Sequence, residues 1–439
     1  MSAPPLAKSV PSDIGDRLYD LARELYPINR SITGQGVRDT LAIVSRVLPL
    51  DIQAVPTGTQ VFDWTIPNEW NLREAYIEDA SGHRLVDVQN HNLHILGYST
   101  PIDAWMPLEE LQSHLYSLPQ YPDWIPYRTS YYKESWGFCL THRQLAALRP
   151  QQYHVRIDAT LAPGVLNYGE AVIHGETDDE FLISAHVCHP SLANDNLSGI
   201  ALSAFLGAAL ASHRPRHTFR IVFAPGTIGS IAWLATHQET TQRIKHGLVA
   251  ALLGRPGPLV YKKTRGGGAP IDEAAAHVLR RRKRNDEVID FSPWGYDERQ
   301  FNSPGIALNI GRLTRAPEGA YPEYHTSADN LELVTPATLE DSYRAMCEII
   351  DVIDRNGRYR NLRGKGEPQL GKYGLYGPLG GVSSVEAGRL AILWSLSLAD
   401  GDHTLLEVAE RSGLPFDDIF HATTRLTEAG LLEPADTTR

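Results

Sequence analysis

The stretch HVCHPSLANDNLSGIALSAFLGAAL, His186 to Leu210, decides how this chain is read. It sets two histidines and an aspartate between a short apolar run, DEFLISAH, and a long apolar helix. Two readings compete. In one, a strand ends in a polar loop, and Asn194, Asp195 or Asn196 merely caps the helix that follows. In the other, His186 and Asp195 hold a metal ion and any cap is a by-product of the loop.

Outward from this stretch the chain alternates strands and helices. YHVRIDATL and LNYGEAVIHG are strand-like and DEFLISAH is a short apolar strand. A helix over 199–211, the strand HTFRIVFAP, a helix over 229–237, the strand GLVAALLG and the segment FNSPGIALNIG follow. This order predicts an α/β domain with a mixed, mostly parallel sheet flanked by helices. Ligands gather at the carboxyl ends of strands in such sheets, and His186, Gly226 and Arg255 each lie just past one.

Upstream, Ile14, Leu18, Leu21 and Leu25 share one face of a first helix that Ser12 or Asp13 can cap. Val37, Leu41, Val44 and Val47 mark a second. Between them and the α/β region the texture changes to short alternating stretches rich in aromatics. Ala75–Ile77 and Arg84–Val88, split by Asp79-Ala80-Ser81-Gly82, predict a hairpin in a small β-rich module. The predicted organisation is an α/β domain over 1–54 and 151–362, an inserted β-rich domain over 55–150, a Gly-rich linker over 363–387, and a winged-helix-like domain over 388–439. The third helix of that tail begins with Asp417 and Asp418 and holds one arginine, Arg425, the wrong sign for a phosphate backbone. Packing or assembly into a homo-oligomer suits it better.

Bulk composition narrows the field. The chain has 439 residues, 42% of them hydrophobic and 21% charged, which predicts an ordinary globular protein of two or three domains. A formal net charge of −11 argues against a nucleic-acid binder. The basic run Arg280-Arg281-Arg282-Lys283-Arg284 suits the end of a helix. Three cysteines, Cys139, Cys188 and Cys347, cannot build a disulfide framework, and no apolar run predicts a signal peptide or a membrane span. The expectation is a cytoplasmic protein acting on a small molecule, with no membrane partner.

The residues that carry chemistry also carry a resemblance. HVCHPSLANDNLSGIA resembles the first signature of zinc-dependent co-catalytic aminopeptidases, in which a His ends a strand and an Asp bridges two zinc ions. YHTSADNLELV is similar to their last signature, and YDERQFNSPGIAL to the segment between. RSITGQGVRDTL, VFDWTIPNEWNLREAYI, HPSLANDNLSG, YDERQF and YPEYHTSADNL look like one bacterial subgroup over nearly the whole chain. These are aminopeptidase-like proteins with an inserted β domain and a winged-helix tail, often linked to polysaccharide or secondary-metabolite biosynthesis. The resemblance implies His186, Asp195 and His325 as metal ligands.

Two departures reshape that expectation. The family stretch Pro-Glu-Thr-Ile-Gly-Ser reads Pro-Gly-Thr-Ile-Gly-Ser here, so Gly226 replaces a glutamate. A Gly-Asp that supplies a zinc ligand reads Gly-Arg, with Arg255. Glycine cannot accept a proton, and a guanidinium repels a divalent cation. One zinc site with an open position is the most the implied ligands can form; otherwise the metal is absent and Arg255 pairs with Asp195. An acid or base must then come from Glu323, Glu298 or His189. Each has a bland alternative: Glu323 orients a loop, Glu298 pairs with Arg299, His189 fixes His186. Tyr324 offers a hydroxyl. Cys188 stands where an Asp normally orients the first histidine, as an extra soft ligand or a buried small residue. Arg255 and Arg30, with Lys262, Lys263 and Arg265 beside Gly266-Gly267-Gly268, would favour an anionic substrate. A metal-assisted hydrolase acting on an amide or amino-acid-derived molecule is the leading expectation. A non-peptidase acyl-transfer or cyclisation enzyme, or an inactive binding protein, is the alternative.

Overall fold

The computed structural model describes residues 4–317, 319–375 and 383–435. Part of the expected linker, 376–382, lies outside them. By contacts the chain forms two compact units, Met1–Cys347 and Glu348–Arg439.

The first unit is built on an eight-stranded sheet in the order Asp51–Pro56, Val165–Ile173, Thr218–Ala224, Glu180–His186, Ile244–Ala250, Ile310–Thr314, Val260–Lys262, Glu287–Ile289. The strand Glu180–His186 is central, lying parallel to both neighbours. Every one of its residues is buried, as a strand covered on both faces must be. The antiparallel pairs flank this parallel middle. Mixed pairing in a helix-covered sheet is the predicted fold class.

Helices Ile14–Leu25 and Gln35–Val44 present the predicted apolar faces. Ile14, Leu18, Leu21 and Leu25 are all buried, as are Val37, Leu41 and Val44. The second helix stops before Val47, and Leu48 takes the buried place instead. Asp13 is the first helix's N-cap residue without a side-chain capping bond.

The inserted module is a four-stranded antiparallel sheet, Arg84–Asp87, Glu69–Glu78, Gln152–Ala162, Ile102–Pro107. The hairpin of Glu69–Glu78 with Arg84–Asp87 is the predicted one. One strand differs from expectation. The stretch Tyr153–Leu161, read as the opening of the α/β domain, belongs to the small sheet, where Ile157 opposes Ala75 and Val155 opposes Ile77. The main sheet resumes at Val165. Alternation identifies a strand, but its partners, Glu69–Glu78 and Ile102–Pro107, lie far upstream and only packing reveals them.

The second unit carries helices Ser383–Leu398, Leu405–Ser412 and Phe416–Glu428 with three short antiparallel strands, Arg358–Asn361, Asp400–Thr404 and Leu432–Pro434. Thr404 and Glu407 close a reciprocal cap on the second helix. Among the described residues no helix is long and apolar enough to cross a membrane.

Candidate metal centre

The opening stretch settles its own question. Neither Asn194, Asp195 nor Asn196 caps the helix Gly199–Ser212, whose N-terminal residue Ser198 makes no side-chain cap. Asn194 Oδ1 instead accepts from the backbone N–H groups of Gly254 and Arg255 at 2.8 and 3.0 Å. Asn196 Oδ1 accepts from Leu252 N–H at 3.2 Å, and its amide donates to Ala250 O at 3.1 Å. The two asparagines therefore stitch this loop to the loop leaving the next strand. Gly199 is required for the close approach, because a Cβ there would sit 2.3 Å from Ala250 O.

Between the asparagines stands Asp195, fully buried. Its Oδ1 accepts from His186 Nε2 at 2.8 Å and lies 3.6 Å from His189 Nδ1. Its Oδ2 lies 3.0 Å from His325 Nε2. Yet His189 Nδ1, Asp195 Oδ2 and His325 Nε2 are all buried with no hydrogen-bond partner. Burial alone would raise the Asp195 pKa, but the surrounding imidazoles hold it well below the usual carboxylate range. Burial pulls His189 down to about 3, with His186, His325 and Arg30 adding to the fall against the pull of Asp195. An ionised carboxylate beside a neutral imidazole is the protonation state a metal requires.

Aromatic rings fix the imidazoles. Tyr296 stacks on His186 at 4.5 Å and Tyr324 on His325 at 3.9 Å. The Tyr296 hydroxyl donates to that of Tyr324 at 3.2 Å. Tyr127, from the inserted module, meets both His189 and His325 edge-on at 5.1 Å. Its N–H donates to His325 O at 2.8 Å, and Ile125 pairs with Ser327 beside it. Ser191, Thr227, Leu252 and His325 have positive φ on the loops around Asp195, a strain that clusters at functional sites.

The other expected residues divide. Arg30 is buried and holds the loop, donating from Nε to His189 O at 3.0 Å and from Nη1 to Leu25 O and Thr40 Oγ1. Its Nη2 has no partner, and burial lowers its pKa to about 10, which leaves it charged at neutral pH. Arg255 forms no ion pair with Asp195 among the described residues. Its guanidinium lies 5.0 Å over the Tyr321 ring, and its buried Nε has no hydrogen-bond partner. The expected alternative, a guanidinium standing in for the metal, is therefore not what the loop builds.

Glu298 has both carboxylate oxygens occupied. Lys262 lies 2.5 Å and Arg312 3.3 Å from Oε1, while Oε2 accepts from Tyr296 N–H at 3.1 Å. Neither the expected acid–base role nor the expected Arg299 pairing is what these contacts form. Lys262 is spent in the same cluster, and Lys263 pairs with Asp290 at 2.9 Å. Cys188 is a buried thiol that accepts from Gly226 N–H at 3.3 Å, with its pKa pushed up to about 12 chiefly by burial. Glu323 keeps a buried, unpartnered Oε2.

Three residues escaped the sequence reading. Asp297 accepts from Thr227 N–H at 2.8 Å, while its Oδ2 is buried and unpartnered and burial raises its pKa. Asp329 accepts from the N–H groups of Asn194 and Asp195 at 2.6 and 3.1 Å. Burial, then the charge of Asp195, pushes it up to about 8. Tyr127 is the third. Asp297 and Asp329 lay inside quoted motifs, so adjacency to Glu298 and His325 was the available signal. Nothing local marked Tyr127.

The donor set passes a chemical test for one ion. It contains an ionised carboxylate and imidazole nitrogens left without partners in a buried pocket. A second ion finds no carboxylate at Gly226 or Arg255.

Residues 19–356 match the family described as a domain of unknown function, DUF4910, and residues 357–434 match a winged helix-turn-helix family. A Clostridium acetobutylicum protein, provisionally named for polysaccharide biosynthesis with an aminopeptidase-like domain, is 45% identical over 422 residues, covering 96% of this chain and 97% of that one. A crystal structure from the same organism, provisionally named a peptidase, is 43% identical with a TM-score of 0.91, covering 98% and 97% of the two chains. A zinc aminopeptidase from Bacillus subtilis shares the fold at 14% identity and a TM-score of 0.55, covering 76% and 94%.

Proposed function

The chain belongs to the DUF4910 family of aminopeptidase-like proteins, and from that premise we propose that it is a metal-assisted enzyme acting on an amide or amino-acid-derived small molecule in a biosynthetic pathway. The observation that carries this reading is Asp195, buried among His186, His189 and His325 with lone pairs left over. A single divalent ion, most simply zinc, is the occupant those donors suit. When bound, such an ion supplies Lewis-acid polarisation of a carbonyl and a lowered pKa for coordinated water.

The chain's own groups supply the rest. Arg255, ring-backed and without an acid partner among the described residues, anchors a substrate carboxylate or a developing oxyanion. Tyr324 and Tyr127 wall the pocket and limit water. Proton transfer needs a carboxylate with a free oxygen within reach. Asp297 and Glu323 each keep one, and Asp297 is bonded to the residue after Gly226, the place of the missing glutamate.

That missing glutamate favours a second reading at the level of reaction type: acyl transfer or cyclisation in place of hydrolysis. The relative's name, which refers to polysaccharide biosynthesis, supports a biosynthetic setting for either.

The test is a metal count by mass spectrometry on protein purified without chelator, paired with a screen of acylated amino acids and amino-acid amides. About one zinc per chain and turnover lost on chelation is the expected result. Protein that is folded, metal-free and unable to take up zinc or cobalt sinks the reading.

A further inference from the structure

The carboxylate of Asp195 has two distinct sides. Oδ1 faces His186 and His189, and Oδ2 faces His325. The resemblance in sequence pairs the ion with His186 and His325. The geometry points to a different set: His189 is the third protein ligand, and the ion sits on the Oδ1 side among His186, His189 and Asp195. This rests on the metal-binding reading above and refines it.

Three observations carry the assignment. First, one donor atom from each of His186, His189 and Asp195 can be chosen so that all lie within 4.8 Å of one another, and His325 is not in that group. Second, His189 Nδ1 to Asp195 Oδ1 is 3.6 Å, too long for a hydrogen bond. Ligands about 2.1 Å from a tetrahedral zinc stand roughly 3.4 Å apart, so this spacing suits two atoms sharing one ion, while the 2.8 Å hydrogen bond from His186 Nε2 to the same oxygen is one the ion would replace. Third, His189 Nδ1 is buried without a hydrogen-bond partner, although its ring is held firmly. Tyr127 and His186 meet the ring edge-on at 5.1 and 4.9 Å, and Arg30 pins its carbonyl. A buried nitrogen held rigidly with nothing to bond is a costly arrangement unless a ligand satisfies it.

The assignment also accounts for Arg255. Arg255 stands where the resemblance expects a carboxylate ligand, and an imidazole three residues after His186 restores a three-ligand set with an open position. His325 is a third exposed and stacked on Tyr324. Its Nε2 and Asp195 Oδ2, 3.0 Å apart and both without a hydrogen-bond partner, are then left open toward a substrate.

The test uses the full chain stripped with chelator and titrated with cobalt and zinc. His189→Ala should weaken binding by at least about tenfold more than His325→Ala, since loss of outer-shell support alone costs roughly 10–100-fold. His189→Cys supplies a positive signal that does not depend on loss. A thiolate-to-cobalt charge-transfer band should appear in it and be absent from His325→Cys and from the parent, whose Cys188 is already present. A smaller ratio, or no band in folded His189→Cys, overturns the assignment while parent binding keeps the metal reading intact. A folded parent that binds neither metal overturns both.

Discussion

At the scale of single residues, Gly226 and Arg255 stand where the resemblance expects carboxylates, and the space around them says whether carboxylates can be put there. A Cβ built on Gly226 would meet only Cys188 Sγ at 3.5 Å and His186 Cβ at 3.7 Å, ordinary contacts. Arg255 is tied through its backbone N–H, which any residue but proline retains, and its guanidinium makes no ion pair among the described residues. Gly226→Glu with Arg255→Asp should therefore fold, lose little stability, and raise the metal count from about one toward two per chain, the carboxylates being the oxygen donors zinc accepts. Mass-spectrometric stoichiometry beside a melting curve checks this. A folded double variant still holding a single ion would mean that the second position is closed by something other than these side chains. The same residues mark what sequence could and could not tell. His186, Asp195 and His325 each lie in a long motif, and the structure brings both histidines within 3.0 Å of a carboxylate oxygen of Asp195. For His189 the sequence offers acid–base work or support of His186, since nothing in its spacing reveals which nitrogen is left unbonded. Asp297 and Asp329 were passed over because the roles of a buried carboxylate depend on which backbone N–H groups it receives.

Elements explain why Glu298 misleads. It opens the short helix Glu298–Phe301 in a motif that belongs to the site, yet it is wholly buried and faces Lys262 on one strand and Arg312 on the adjacent, antiparallel strand. Lys262 also donates to Ser292 O and Trp294 O, so the cluster fastens the loop that carries Tyr296 and Asp297. Removing one partner of a buried ion pair strands the other charge at a cost of about 3–5 kcal/mol. Glu298→Ala should thus lower stability by that order in urea or thermal unfolding. Its remaining folded protein should bind zinc about as well as the parent. A variant of parental stability that has lost metal or turnover would restore Glu298 to the chemistry. Strand assignment follows a similar logic. The alternation within Gln152–Ala162 is legible as a strand, and the all-buried Glu180–His186 as a short apolar one. Which sheet the former joins was not, because antiparallel partners such as Trp70 with Leu161 are set by packing across the chain.

For the whole molecule, the question is what a winged helix does on a chain with a formal net charge of −11. The three-helix pattern of the tail was legible from turn spacing and recurs as Ser383–Leu398, Leu405–Ser412 and Phe416–Glu428. A reader helix needs cations at its leading turn to meet phosphate. The helix Phe416–Glu428 offers Asp417 and Asp418 there and a lone basic residue, Arg425, in its last turn. Arg355, the nearest cation to that leading turn, is taken up by Asp417 at 2.8 Å and by the Phe420 ring at 3.9 Å. Both contacts hold the unit together and turn a positive charge inward. Fold likeness to nucleic-acid readers is no argument for their function. Fluorescence anisotropy with labelled duplexes of mixed sequence, at about 0.1 M salt where surface charge is screened beyond roughly 10 Å, should show no binding by the full chain. Asp417→Lys with Asp418→Lys should gain weak, salt-sensitive, sequence-independent binding, because the leading turn changes sign and Arg355 loses its Asp417 partner. Tight duplex binding by the parent, insensitive to those substitutions, would mean that another surface reads DNA and that the charge argument has been applied to the wrong face.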